Sequence, residues 1–162
     1  MMSGTSMVIH PPLRGEWAIW NPPGHPKLAF DFLATKGNRS PYPASTFLRH
    51  VFGSISVAAT YAWRQPVFAL LDGEVVACSD GTADRERISM IRDLVALRMF
   101  PPRPGSPFPS YGGNYVILKC DDVYPLLAHL RCGSLRVGVG DHLRLQAANE
   151  SAPIKTEKRA DT

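Results

Sequence analysis

Residues 112–139 read GGNYVILKCDDVYPLLAHLRCGSLRVGV. Three short apolar runs lie close together here: Asn114–Cys120, Val123–Leu130 and Ser134–Val139. Runs of this length, bounded by Gly, Asp and Pro, predict β-strands joined by tight connections. Upstream, Glu16–Asn21 (EWAIWN) alternates and is aromatic, and Pro22, Pro23 and Gly24 end it. Lys27–Ala34 (KLAFDFLA) predicts a second strand, with Leu28, Phe30 and Phe32 on one face. Asp31 falls on the other face beside Ala29 and Leu33. Pro66–Leu71 and Glu74–Ser79 flank Asp72-Gly73, a strong hairpin signal.

One stretch has helical spacing. Asp84–Phe100 places Ile88, Ile91, Leu94, Val95 and Met99 on one face, with Asp84 as the expected cap and Arg87 and Arg92 outside. Pro101 and Pro102 stop it. Thr35–Ala62 is polar and poorly periodic, with at most a short helix near Phe47–Val51. The expected fold is all-β, mainly antiparallel, with one inserted helix. The expected organisation is a flexible lead-in over 1–15 and a β domain over 16–145, carrying insertions at 35–62 and 80–112. A disordered tail is expected over 146–162.

Composition narrows the function only a little. The chain has 162 residues, 15 Pro, 13 Gly and a formal charge of +4. That charge is mild, and no stretch interleaves Lys or Arg with aromatics, so nucleic acid is not an expected partner. Cys78, Cys120 and Cys132 are odd in number and form no C-x-x-C. They read as small buried residues in a reducing compartment rather than as a zinc ribbon or redox pair. Neither a signal peptide nor a run of ~20 apolar residues is visible, which points to the cytoplasm by default.

Catalytic motifs of the Ser-elbow, phosphate-loop, H-E-x-x-H and dinucleotide types are all missing from the sequence. The residues with chemical potential are the histidines at 10, 25, 50, 129 and 142 and a few carboxylates. His25 precedes the strand that carries Asp31. A carboxylate within so apolar a strand costs several kcal/mol unless a metal or salt bridge compensates it, or unless it faces solvent. His129, in the apolar run YPLLAHL, reads as a core histidine bonded to backbone or as a catalytic group. His142 follows Gly-Asp and reads as a turn residue. Cys132 lies three residues from His129, a spacing that rarely brings a thiol and an imidazole to one site.

Taken in order, four segments carry a resemblance: GHPKLAFDF, QPVFALLDGEVV, GGNYVILKC and YPLLAHLRCGSLRVGVGD. Together they resemble the lysostaphin-type zinc metalloendopeptidase domain. That family folds as a β-sandwich, the duplicated hybrid motif, and cuts peptide crosslinks in peptidoglycan. The resemblance implies a Zn²⁺ cofactor, with His25 and Asp31 as two zinc ligands and His129 as the catalytic histidine beside the metal. Pro66, Val67, Ala69, Gly73 and Val75 match the family's hairpin. Gly113, Asn114, Val116 and Leu118 match its next strand, and Gly133, Val137, Gly140 and Asp141 its closing turn. His25 and Asp31 have five residues between them, more than the family's usual spacing. The family's last motif, His-x-His, does not occur in the sequence, which implies an incomplete ligand set, with an active and an inactive peptidase-like domain both open. Two other readings of the same fold stay open: a non-catalytic binding module, and a phosphotransfer or carrier domain.

Overall fold

The computed structural model describes residues 8–21, 27–37, 40–99 and 112–145. The turn at 22–24, His25, the loop after Pro101 and the tail expected over 146–162 lie outside these residues. The fold is mainly β, in antiparallel sheets, with two short helices. The chain forms two compact units, residues 1–12, 66–82 and 114–162 in the first and 13–65 and 83–113 in the second.

The first unit is built on a four-stranded sheet. Its strands are β4 (Gly73–Ser79), β6 (Asn114–Lys119), β7 (Leu126–Leu130) and β8 (His142–Leu143), in the order β7-β6-β4-β8. Strand β6 shows the period of two expected from its sequence: Asn114, Val116 and Leu118 are buried while the residues between them are less so. Val75 and Leu118 are fully buried and pair across the β4–β6 ladder. Ala69, Leu70, Leu71, Val116 and Leu143 complete this core, with Cys78, Cys120, Leu127, Leu130, Leu135 and Val137 packed against it. The half-buried Cys78 and Cys120 thus serve as small apolar residues.

Two expected strands of this unit are irregular. Pro66–Leu71 forms no ladder, and Asp72-Gly73 is not a hairpin turn. Ala69, Leu70 and Leu71 are buried in succession, which the alternating faces of a strand do not permit when one face is solvated. The backbone of this segment bonds instead to the lead-in: the His10 N–H donates to Leu70 O, and the Phe68 N–H to Pro12 O. Gly73 opens β4 and pairs with Leu143. A Cβ there would stand 2.7 Å from the Lys119 carbonyl oxygen, so the close approach requires glycine.

Ser134–Val139 is likewise no strand. The Asp80 carboxylate accepts from the Gly133 N–H at 2.8 Å and the Leu135 N–H at 3.0 Å, doing what a neighbouring strand would do. The chain rejoins the sheet when the Gly140 N–H donates to Val75 O and the Val75 N–H to Asp141 O.

The second unit holds β1 (Trp17–Trp20), β2 (Asp31–Ala34), α1 (Phe47–Phe52), β3 (Ile55–Ser56), β5 (Arg87–Ile88) and α2 (Met90–Met99). Strands β1 and β2 pair antiparallel, from Trp17↔Ala34 to Trp20↔Asp31. The rings of Trp17 and Phe32 meet at 5.8 Å on one face. Strand β2 is shorter than expected. It starts at Asp31, and Leu28 is 89% exposed.

Helix α2 starts later than Asp84 because Arg87 and Ile88 are used by the β3–β5 pair. The Arg87 guanidinium reinforces that pair through the hydroxyl and carbonyl of Ser54. Ser89 then leads into the helix, its N–H donating to the Asp93 carboxylate, which also meets Arg85 at 2.6 Å. The apolar residues of α2 are not buried: Ile91, Leu94, Val95 and Met99 are all exposed.

Candidate functional site

Of the residues assigned to chemistry by resemblance, His129 has the most distinctive setting. It lies in β7, an otherwise apolar strand, yet it is exposed rather than a core histidine. Its backbone φ is 59°, in the left-handed region. The cause is the register of the β6–β7 ladder. Asn114 pairs with Leu130 and Val116 with Leu127, so Ala128 and His129 together face the single residue Tyr115. That surplus residue is a β-bulge, a device that re-aims a side chain and bends the strand. A non-glycine residue held left-handed costs about 1–3 kcal/mol and persists only where its surroundings over-determine it.

Those surroundings are Asn114. Its side chain is 2% exposed and fully used. Oδ1 accepts from the Thr82 N–H at 2.8 Å, and Nδ2 donates to Thr82 O at 2.8 Å and to Leu130 O at 3.1 Å. The amide therefore ties the end of β7, one residue past His129, to the segment that follows β4. Cys132 Sγ lies 3.8 Å from Asp80 O.

Asp31 is the first residue of β2, half-exposed, and its register partner is Trp20. At a strand end with access to water, its carboxylate needs no compensating cation. The burial argument for a metal at Asp31 is therefore removed. His25 lies outside the described residues. Asp31 belongs to the second unit and His129 to the first. Among the described residues, no group of three His, Cys, Asp or Glu side chains is placed to hold a metal ion. The imidazole and carboxylate assigned by resemblance are donor types that suit zinc, and a catalytic zinc takes three such protein ligands plus water. No helix among the described residues is long and apolar enough to cross a membrane.

A different histidine has partners that its sequence neighbourhood does not advertise. His50, on α1, meets the hydroxyl of buried Tyr42 at 2.7 Å, with the rings edge to face at 4.9 Å. Burial pushes the His50 pKa down, opposed by the charge of Asp93, and burial pushes the Tyr42 phenol up. Both shifts favour a neutral pair, in which the imidazole tautomer sets whether the phenol or Nδ1 donates. Tyr42 and His50 are eight positions apart across a 3-10 turn at Ala44–Thr46, so no helical or strand period brings them together on paper. His142 is exposed on β8, and Asp141 beside it caps the closing turn by accepting from the Gly138 N–H. No protein-family model, curated protein or solved structure matches this chain.

Proposed function

We propose that this chain is a zinc-metallopeptidase-type domain directed at the peptide crosslinks of peptidoglycan, with His129 as its catalytic imidazole. The observation that carries the reading is the exposed, left-handed His129 on a bulge of β7. Strain of this kind collects at functional sites. Three of the four segments behind the resemblance supply the start of β4 and all of β6 and β7, so in this reading the four-stranded sheet is part of a duplicated hybrid motif. His25 and Asp31 would supply two of the three protein ligands that a catalytic zinc takes. Bound zinc would supply a water of lowered pKa and polarise the scissile carbonyl. The imidazole of His129 would donate a hydrogen bond to the carbonyl oxygen as it gains charge, or carry a proton to the leaving amine.

Metal content of the purified chain, measured by mass spectrometry alongside hydrolysis of a wall-derived peptide, tests this. One zinc per chain is expected, lost in both His25→Ala and Asp31→Ala. His129→Ala should keep zinc and lose hydrolysis by 10²-fold or more. A chain that takes up no zinc and cuts no peptide refutes the peptidase reading. If that same chain still sediments with cell walls, it is a binding module.

A further inference from the structure

We propose that Asn114 is a positioning residue for His129: its side-chain amide traps the surplus residue of β7 and so sets where the imidazole stands. A bulge needs both ends fixed, because an unpinned strand relaxes by slipping one residue, which turns every side chain to the other face. One end is fixed by the ladder pair Val116↔Leu127. The other end is Leu130, and there Asn114 adds a side-chain bond to the Leu130 carbonyl beyond the strand pairing itself. The same amide is anchored through two bonds to Thr82, so it cannot follow β7 if that strand moves. Between these fixed points Ala128 and His129 must share the space opposite Tyr115. The left-handed turn at His129 is how the chain absorbs the extra length.

The chemistry of the amide is suited to this task. Asparagine offers an acceptor and two donors in one plane, and here each is matched by a backbone group of opposite kind. Aspartate keeps the shape and the acceptor but presents an oxygen to the carbonyls of Thr82 and Leu130. That reverses two bonds while leaving the core volume unchanged. The importance of His129's position rests on the function proposed above; the control of that position by Asn114 does not.

The test reads the conformation of His129 directly, with no need of zinc or substrate. Three-bond couplings and the Cα and Cβ chemical shifts report its backbone φ. In Asn114→Asp, His129 should leave the left-handed region by both readouts. Val75→Ala, which weakens the same sheet through its fully buried core, should leave both readouts at their wild-type values. If Asn114→Asp loses stability as Val75→Ala does but keeps the φ of His129, the positioning role is overturned. Hydrogen exchange of the wild-type chain gives a measurement that survives failure of the variant to fold. The Thr82 amide, bonded to the Asn114 side chain, should exchange as slowly as the amides of β6; exchange at the rate of an open loop overturns the clamp.

Discussion

Replacing His129 by glycine should stabilise the chain relative to replacing it by alanine, and the sign alone decides the matter. Both substitutions remove the imidazole with every contact it makes, so their difference isolates the backbone. In an ordinary strand glycine is worse than alanine by about 0.5–1 kcal/mol, because it loses more freedom on folding. At a φ of 59° alanine carries a steric penalty of roughly 1–2 kcal/mol that glycine escapes. The sum favours glycine by up to ~1.5 kcal/mol. Urea unfolding monitored by circular dichroism resolves this as a higher midpoint for His129→Gly at unchanged slope. By heat, the glycine variant should melt higher by about 2–4 °C per kcal/mol for a chain of this size. Ala128→Gly, one residue earlier and not left-handed, supplies the ordinary penalty as an internal control. A glycine variant less stable than the alanine variant would falsify the account of the bulge, and with it the observation on which the functional proposal stands.

Gly73→Ala should destabilise the first unit by about 1–3 kcal/mol, since the new methyl meets the Lys119 carbonyl across the β4–β6 ladder. Gly81→Ala, with nothing near its Cβ, should change the urea midpoint little; equal effects at the two sites would sink the steric explanation. For His50 the folded-state pKa is depressed, so the unfolded chain binds its proton first. Stability should therefore rise with pH between the folded pKa and the ordinary histidine value near 6.5, and be lost as pH falls through that window. His50→Gln should flatten that slope in urea titrations taken at a series of pH values. An unchanged slope would mean that another group titrates there.

The elements that sequence period reveals are those with one face buried and one face wet. Strand β6 is the clearest case, with its alternation readable in NYVILK. Where the burial pattern has another origin, the period misleads. FALL and SLRV are apolar enough for strands, but Ala69–Leu71 is buried in succession, and Asp80 satisfies the backbone after Cys132 with a carboxylate. No period encodes an acceptor fifty residues away. The same holds for α2, whose spacing gives the helix but whose first turns are claimed by the pairing of Arg87 and Ile88 with Ile55 and Ser56. For the site, the sequence singled out His129 and included Asn114 in a motif. It placed Asp31 in mid-strand, where the structure starts the strand. The left-handed turn of His129 depends on a count of residues between two ladder pairs, and that count exists only once the strands are in register.

The interleaving of the two units has a consequence for anyone wishing to dissect the molecule. The chain passes from one unit to the other at 12–13, 65–66, 82–83 and 113–114. Neither unit is a contiguous stretch, so no single cut releases either of them whole. During synthesis, β4 emerges long before the partners on both its flanks, and its inner face stays unshielded until residues 114–119 and 142–143 follow. Ladders joined over such distances form slowly and leave apolar surface open in the meantime. Fragment libraries and fusion tags placed at the internal crossings should therefore give insoluble product, whereas a tag at either terminus leaves every crossing intact.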